Sequence, residues 1–376
     1  MAGVYIHVPF CRQKCSYCDF HFSTTFESYR QRMIDAIVKE IDTRSEYIGD
    51  ETIKTIYFGG GTPSVLSSDE LRSLVEKVRA MFRVEPNAEI TLEINPEDIT
   101  SDALSGWSES GVNRLSIGIQ SFKESDLDWM NRAHTWEQSV QGVQMAQALG
   151  FDNISVDLIY GLPDLSMSDW NDHIQRVVDL NIQHVSAYCL TVEEKTALSH
   201  WVSSGKLQVP GNQIQSEQFL ILVNKLAQNG FEQYEISNFS LNGYRSKHNS
   251  SYWRGEKYLG VGPSAHSFNG TSRQWNIPNN QRYMQGVESD DLQFEVEELT
   301  NQDRYNELLL TGLRTVEGVD LNALNELRAE PEESRQTRLK FAKNDWLVQD
   351  GNHIRLTVEG RLKADYIASE LFLTDS

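Results

Sequence analysis

The chain has 376 residues, 39% of them hydrophobic, with 54 acidic and 34 basic side chains and a formal net charge of −20. This length suits one large domain and a smaller one, and the acidic balance argues against nucleic acid or an anionic membrane surface as a partner. The apolar stretch Val4–Phe10 is too short for a signal peptide, and no apolar run approaches the ~20 residues of a membrane helix, so we expect a cytoplasmic protein without a transmembrane segment.

Over the first two thirds of the chain, short runs rich in β-branched and aromatic residues alternate with amphipathic helical patterns. The predicted strands are Val4–Val8, Lys54–Phe58, Glu89–Ile94, Arg114–Ile119, Ile154–Ile159 and His184–Leu190. The predicted helices are Tyr29–Thr43, one opened by a capping box at Ser67 and Glu70, Ser101–Glu109, Trp136–Ala148, Asp169–Leu180 and Ser216–Gln228. Six strand–helix units in succession predict an α/β fold with a partial or complete parallel (β/α) barrel. A doubly wound open sheet is the alternative that periodicity alone leaves open.

The composition changes after about Phe239, where the chain becomes rich in Asn, Ser, Gly, Tyr and Trp. Later segments predict helices, a hairpin around 350–352 and a final helix, namely Tyr305–Leu313, Leu321–Leu327, Leu339–Asn344 and Val358–Phe372. Helix, hairpin and helix in this order predict a small winged-helix-like domain, which we interpret as a packing or partner-docking module. The predicted division is a barrel domain, a connecting segment and this C-terminal domain, at 1–239, 240–299 and 300–376.

Three of the four cysteines, Cys11, Cys15 and Cys18, lie within eight residues directly after the first predicted strand. A chain with so few dispersed cysteines is not built on disulfides, which fits a reducing compartment. Three thiolates can bind three irons of a cubane cluster and leave the fourth iron open to a chelating ligand. Cys189 could supply a fourth thiolate, but a lone cysteine in an apolar strand is more often a small buried residue.

Zinc is the alternative metal for these cysteines. His7 or His21 could complete a site of three cysteines and one histidine, since zinc accepts sulfur and nitrogen ligands. Zinc sites usually use paired C-x2-C spacings, whereas here one gap has three residues and there is no second pair. Under this alternative the chain is a zinc-stabilised structural or binding protein.

The pattern C-x3-C-x2-C, with Tyr17 before its last cysteine, resembles the signature of the radical SAM superfamily. The resemblance implies a [4Fe–4S] cluster on Cys11, Cys15 and Cys18, with S-adenosylmethionine (SAM) chelating the open iron and cleaved by the reduced cluster to methionine and a 5′-deoxyadenosyl radical. Further residues match the SAM pocket of that family, namely Tyr5, Tyr17, Gly60, Gly61, Thr62, Glu93, Gln120, Arg132 and Asp157. The turn formed by Gly59, Gly60 and Gly61, here called the glycine turn, also has a physical reason. Glycines let the backbone approach a ligand closely and expose the polar groups of the backbone.

Over nearly its whole length the chain resembles the anaerobic coproporphyrinogen III oxidase family. The oxidases of that family carry a fourth cysteine two residues after the third and an N-terminal extension, whereas here Phe20 stands in that position and ten residues precede Cys11. The run from His248 to Trp253 resembles the His-Asn-x-x-Tyr-Trp pattern of the heme chaperone branch. Neutral histidine is a good axial ligand for heme iron, and Tyr and Trp can stack on a flat macrocycle.

The resemblance implies a heme chaperone that binds heme, with His248 as the heme contact, and passes it to an acceptor hemoprotein, expected to be respiratory. His266 is a second candidate for heme. Because an isolated histidine in such a motif could equally be satisfied by a loop hydrogen bond with the two aromatics in the core, that alternative stays open. We expect the cluster and SAM to tune transfer, without coproporphyrinogen III oxidase activity, and assign no catalytic residue. The alternative enzyme is an oxygen-independent oxidase that abstracts hydrogen from propionate side chains to give vinyl groups and CO2.

Overall fold

The computed structural model describes residues 2–374. Its strands are β1 Ala2–Val8, β2 Ile53–Gly60, β3 Val84–Ile94, β4 Arg114–Gln120, β5 Ile154–Tyr160, β6 His184–Cys189, β7 Glu232–Gln233, β8 Asn238–Ser240, β9 Lys257–Val261, β10 His266–Phe268, β11 Ser272–Asn276, β12 Phe294–Glu298, β13 Val319–Asp320, β14 Leu347–Asp350 and β15 His353–Leu356. Its α-helices are α1 Arg30–Thr43, α2 Ser68–Met81, α3 Ser101–Glu109, α4 Glu124–Met130, α5 Trp136–Ala148, α6 Met167–Asp179, α7 Ala197–Ser203, α8 Asn212–Gln228, α9 Lys247–Trp253, α10 Asn280–Glu288, α11 Asn301–Gly312, α12 Leu321–Leu327, α13 Glu332–Lys343, α14 Val358–Arg361 and α15 Ala364–Glu370.

Strands β1 to β6 lie side by side in chain order, and each pairs with the next in parallel. Every crossover therefore moves one place in the same direction, and right-handed crossovers place all the connecting helices on one face. A doubly wound sheet needs a reversal of strand order, which this arrangement lacks. On its other side β1 pairs with β9, not with β6. The prediction of a parallel α/β barrel is thus confirmed in its partial, open form.

The sheet extends beyond the six parallel strands at both sides. Strands β10, β11 and β12 continue from β9 in antiparallel pairing, and β8 and β7 continue from β6, giving twelve strands in all. The segment 240–299, expected to connect two domains, therefore contributes four strands to the main sheet. One of these strands is the parallel neighbour of β1.

The buried side chains form two clusters. The larger one follows the main sheet and its helices, and the smaller one gathers residues after 300, including Tyr305, Phe341, Ile354 and Leu371. A separate three-stranded sheet, in the order β13-β15-β14, lies in the second part together with the last helices, as a winged-helix-like unit requires. These two clusters support our proposed division near residue 300, which otherwise stays a prediction.

The predicted capping box at the start of α2 is present. The backbone N–H of Glu70 donates to Ser67 Oγ at 3.2 Å, and the backbone N–H of Ser67 donates to Glu70 Oε2 at 2.7 Å. Two otherwise unpaired donors are satisfied in this way, which fixes where the helix begins.

Among residues 2–374, no helix is both long enough and apolar enough to cross a membrane.

Candidate cofactor site and adjoining cavity

The loop after β1 carries the three clustered cysteines, and all three are free thiols. The loop is tied down by its backbone, since the N–H of Cys11 donates to Ser23 O at 3.1 Å and the N–H of Ser16 donates to Met130 O at 3.0 Å. Burial raises the pKa of the Cys11 thiol to about 12 and that of the Cys18 thiol to about 11. Metal binding at these sulfurs would therefore release protons.

Two donors face the sulfur atoms. Thr62 Oγ1 donates to Cys11 Sγ at 3.2 Å, and Arg132 Nη1 donates to Cys15 Sγ at 3.5 Å. A guanidinium and a hydroxyl beside sulfur stabilise the thiolate form that binds metal. Two further buried donors, Arg132 Nε and Ser16 Oγ, have no hydrogen-bond partner within the described residues. Three thiols with these donors fit an anionic iron–sulfur cluster.

The alternative ligands considered from the sequence are engaged elsewhere. Cys189 ends β6, and its described contacts are with Tyr160, Leu190 and Gly161, not with the cysteine loop. His7 bonds the backbone carbonyl of His21 through Nε2 at 2.9 Å and the Tyr5 hydroxyl through Nδ1 at 3.3 Å. Within residues 2–374, no three His, Cys, Asp or Glu side chains converge closely enough to bind a single metal ion.

The glycine turn after β2 lies directly against the cysteine loop. The backbone N–H of Gly61 donates to Val8 O at 2.9 Å and that of Thr62 to Phe10 O at 2.6 Å. A Cβ on Gly61 would lie 2.6 Å from Phe10 O, and Gly60 has a φ of +106°. Glycine is therefore required by close approach at Gly61 and by backbone conformation at Gly60.

Two carboxyl groups lie on the same face of the sheet as this turn. Glu93 accepts a hydrogen bond from the Tyr57 hydroxyl at 2.7 Å, and Asp157 accepts one from Ser116 Oγ at 3.3 Å. Burial raises the pKa of Glu93 to about 7 and that of Asp157 to about 6. Both groups can thus change charge near neutral pH when a ligand enters.

The remaining predicted SAM residues meet at the end of β4. Arg132 Nη2 donates to Gly118 O and to Asn95 Oδ1, both at 2.8 Å. Gln120 has a left-handed backbone, with φ of 69°, and its side-chain amide is 2.9 Å from the position that a Cβ on Gly118 would take. Tyr17 lies beside Arg132 and Cys15, whose charges act on its phenol. The structure brings these residues to one end of the sheet, next to the cysteines.

Sequence reasoning missed two residues of this region. Tyr57 is 8% exposed and bonds Glu93. Arg114 is a 1% exposed cation whose charge partly offsets the burial that raises the pKa of both Glu93 and Asp157. Arg114 Nε has no hydrogen-bond partner among residues 2–374. Arg114 could have been noticed as the single arginine that begins a largely apolar strand. A charge buried in such a strand is costly unless it interacts with an opposite charge or a hydrogen-bond partner.

His248, predicted to contact heme, lies inside the open barrel at 1% exposure. Its Nδ1 bonds Thr55 Oγ1 and its Nε2 bonds the Tyr252 hydroxyl, both at 2.7 Å. Gly3 leaves room for the ring, because a Cβ there would be 3.2 Å from His248 Cε1. As both ring nitrogens are engaged, neither offers a free lone pair to iron in this arrangement. Direct heme contact by His248 stays a prediction, and its present contact with the cavity described next is through Tyr252.

A cavity of about 1520 Å³ adjoins the cysteine loop and is lined by the main sheet, the segment after β8 and the C-terminal helices. Its aromatic lining includes Phe20, Tyr188, Tyr252, Trp253, Tyr258 and Phe268. Phe20 is 69% exposed and Tyr188 is 44% exposed, which is unusual for large apolar rings. Such exposed rings in a concave site suit a flat apolar ligand.

His266, the second histidine considered for heme, lines this cavity and is exposed. Its ring stacks on Trp275 with centroids 5.8 Å apart and an interplanar angle of 23°. Burial lowers the pKa of His266, so the neutral form that can bind a metal is favoured. His266 is thus available to a ligand in the cavity, whereas His248 is not in its present hydrogen bonding.

We expect Glu93→Gln to change how the stability of the cofactor-free protein depends on pH. The folded state raises the pKa of Glu93 from 4.5 to about 7, so the folded protein holds a proton that the unfolded chain releases, and stability is lost as pH rises through this window. Glutamine has no such charge. The free energy of unfolding of the variant, relative to wild type, should therefore rise by about 2 kcal/mol between about pH 5 and about pH 8. Urea unfolding at several pH values measures this, and parallel curves would contradict it.

Two family models match this chain, and it is similar in sequence to known proteins. The model of the radical SAM superfamily matches residues 5–177, and that of the HemN C-terminal domain matches residues 299–362. The chain is 33% identical over 321 residues to the heme chaperone HemW of Bacillus subtilis, covering 85% of each chain. It is 32% identical over 373 residues to the heme chaperone HemW of Mycobacterium tuberculosis, covering 98% of this chain and 94% of that protein.

Among solved structures, the fold is similar to that of coproporphyrinogen III oxidase (HemN) from Escherichia coli, a radical SAM enzyme. The TM-score is 0.85 at 23% sequence identity, and the match covers 99% of this chain and 90% of that one. The likeness extends over both the sheet and the C-terminal unit.

Proposed function

Because the chain belongs to the radical SAM superfamily and, within it, to the family of the heme chaperone HemW, we propose that it binds heme and transfers it to an acceptor hemoprotein. The radical SAM family implies a [4Fe–4S] cluster and SAM. The observation that carries the proposal is the large aromatic-lined cavity beside the cysteine loop. The cavity of about 1520 Å³ is also lined by Gly60 and Glu93 of the proposed SAM pocket. Its volume exceeds the ~300–1,000 Å³ common for one small-molecule site, so it has room for a macrocycle next to SAM.

In this proposal Cys11, Cys15 and Cys18 hold the cluster, which supplies one-electron chemistry and an open iron when bound. Arg132 places positive charge beside Cys15 and so offsets the negative charge of the thiolates. The glycine turn offers backbone polar groups to the amino-acid part of SAM, and Glu93 and Asp157 offer carboxylates to its ammonium and ribose. Tyr5, Tyr17, Thr62 and Gln120 complete the pocket that we propose for SAM.

Heme would lie in the cavity with its faces against Phe20, Tyr252 and Trp253. Trp253 lines the cavity, and its buried indole N–H has no hydrogen-bond partner in the part of the chain described. Arg304 on α11 also lines the cavity and is exposed. Arginine pairs well with carboxylates, so we propose Arg304 as a partner for a propionate.

We propose His266 as the axial ligand, with His248 acting on the heme site through Tyr252. The exposed His266 ring offers nitrogen to iron without breaking a hydrogen bond, whereas iron binding by His248 requires the loss of one of its two. An unmade hydrogen bond of a buried group costs about 1–3 kcal/mol. This difference favours His266.

The acceptor is proposed to be a respiratory hemoprotein that docks on the C-terminal unit, in the cytoplasm. Support comes from the cavity wall, since Leu308 of α11 and Leu327 of α12 line it together with residues of the main sheet. A unit that forms one wall of the heme site is well placed to open it when a partner binds.

A hemin titration of the anaerobically reconstituted protein, followed by Soret absorbance, tests this function. We expect saturation at about one hemin per chain and, for His266→Ala, an affinity at least about tenfold weaker with a shifted Soret band, because the axial ligand is lost. His200→Ala, which removes an exposed histidine of α7, is the matched control and should titrate like wild type.

Three results would contradict parts of the proposal. Wild type without saturable hemin binding would remove the chaperone function, and turnover of coproporphyrinogen III with SAM and a reductant would replace it with the oxidase. An unchanged spectrum and affinity in His266→Ala would remove the axial-ligand assignment and return attention to His248.

A further inference from the structure

A series of direct side-chain contacts runs from the predicted SAM residue Glu93 to Tyr252, and both of these end residues line the large cavity. It starts at Glu93, which accepts the hydrogen bond of the Tyr57 hydroxyl at 2.7 Å. The Tyr57 ring stacks on the His248 ring, with centroids 4.9 Å apart and an interplanar angle of 25°. His248 Nε2 then bonds the Tyr252 hydroxyl at 2.7 Å, and Tyr252 lines the cavity. Each contact in this series is direct.

The rings in this series have little freedom to move independently. Tyr5 stacks on Tyr57 at 6.1 Å and on His248 at 6.4 Å, with interplanar angles of 27° and 28°. His248 is fixed at its backbone as well, because its N–H donates to Glu89 Oε1 at 3.0 Å. In a close-packed interior a shift of one ring has to be taken up by its neighbour.

His248 also gives the series two discrete states. A neutral imidazole donates from one nitrogen and accepts at the other. If Nδ1 donates to Thr55 Oγ1, then Nε2 accepts from Tyr252, whose hydroxyl proton points inward. If Nε2 donates to Tyr252, the hydroxyl proton of Tyr252 is free to point into the cavity. The tautomer of His248, whose ring stacks on Tyr57, therefore decides whether the Tyr252 hydroxyl can present its proton to the cavity.

We propose that His248 is a positioning residue that couples the two sites, so that SAM at Glu93 and heme beside Tyr252 change each other's affinity. This inference rests on the proposed function, since it requires both ligands. A group that binds at Glu93 competes for the carboxylate that holds the Tyr57 hydroxyl, and the change passes through the stacked rings to Tyr252. Linkage requires that the effect is the same in both directions.

The test is the ratio of hemin dissociation constants without and with saturating SAM, measured on anaerobically reconstituted protein by Soret titration. In wild type we expect the ratio to differ from one by at least about fivefold, the lower end of common coupling. Tyr57→Phe removes the hydroxyl at Glu93 but keeps the stacked ring, and Tyr252→Phe removes the hydroxyl at His248 but keeps the cavity ring. Each variant should bring the ratio to within about twofold of one. Equilibrium dialysis of SAM with and without hemin should give the same ratio.

Tyr283→Phe is the matched control. Tyr283 is fully buried and its hydroxyl donates to the buried Glu40 at 2.6 Å, so the variant loses a similar hydrogen bond outside the series. Its ratio should equal that of wild type. If Tyr252→Phe fails to bind hemin, the ratio measured for Tyr57→Phe decides whether the two ligands are coupled, because Tyr57 does not line the cavity.

The coupling is refuted if hemin and SAM both bind to wild type with a ratio near one, or if Tyr57→Phe keeps the wild-type ratio. In either case the proposed chaperone function stands. Absence of saturable hemin binding in wild type overturns the function and the coupling together, so the two failures can be told apart.

Discussion

Cys15→Ala is expected to remove the iron–sulfur cluster, reducing the iron content of the reconstituted protein from about four per chain to near zero. Cys15 is one of only three thiols in the loop after β1, and its sulfur accepts a hydrogen bond from Arg132. Two remaining thiolates hold a cubane poorly, because a further iron then lacks a protein ligand. Iron and labile sulfide assays, with the visible absorbance of the cluster, measure the loss.

Cys189→Ala is the control that separates the assignment from its alternatives. This thiol ends β6 and contacts Tyr160 and Leu190, so its loss should leave iron, sulfide and absorbance unchanged. Iron retained in Cys15→Ala would contradict the assignment of the three ligands. Stoichiometric zinc in place of iron and sulfide in wild type would support the zinc-stabilised alternative.

Gly61→Ala is expected to lower the free energy of unfolding by about 3 kcal/mol and to reduce SAM binding. A Cβ at this position would lie 2.6 Å from Phe10 O, 2.8 Å from Val8 O and 2.9 Å from Phe10 N. These are backbone atoms at the start of the cysteine loop, which cannot rotate away as a side chain can. The turn and the loop must therefore separate, and the hydrogen bond from Gly61 to Val8 weakens.

Gly211→Ala serves as the control for this substitution. Gly211 has a φ of −72° and no heavy atom within 4 Å of its would-be Cβ, so alanine should change the free energy of unfolding by less than about 1 kcal/mol. Urea unfolding of both variants, with SAM binding by equilibrium dialysis, measures the two effects. Equal stabilities of the two variants would show that the turn tolerates a side chain.

The parallel strands could be predicted from the sequence because β-branched and other apolar residues dominate them without a regular polar alternation. All six were identified, and where a boundary differs the reason is visible. The prediction Glu89–Ile94 falls within β3, Val84–Ile94, whose first residues are polar and partly exposed and so lack the apolar signal. The seven-residue helices α4 and α9 were not predicted, because so short a segment shows little helical period, whereas α12, of the same length, was predicted with the bounds Leu321–Leu327.

The site could be predicted only in part. Cysteine spacing and a glycine turn are local features, and the structure places them side by side. Tyr57 and Arg114 escaped notice because they lie within strands, and their importance depends on neighbours distant in the chain. His248 illustrates this, since its partner Thr55 is 193 residues away. His248 is buried with both ring nitrogens hydrogen-bonded, but its partners lie on β2 and α9 and not on a loop, and Tyr252 and Trp253 line the cavity, so its role stays a prediction.

The pairing of β1 with β9 sets the order in which this protein can acquire its structure during synthesis. Ala2–Ile6 pair with Lys257–Val261, so one edge of the first strand has no partner until more than two thirds of the chain has left the ribosome. An apolar strand with an open edge is prone to pair with other chains while it waits. The motif from His248 to Trp253 emerges just before β9, and its helix α9 packs on β1 and β2. Contacts this distant in sequence form slowly, so the large cavity lined by Tyr252 and Trp253 is among the last parts of the molecule to mature.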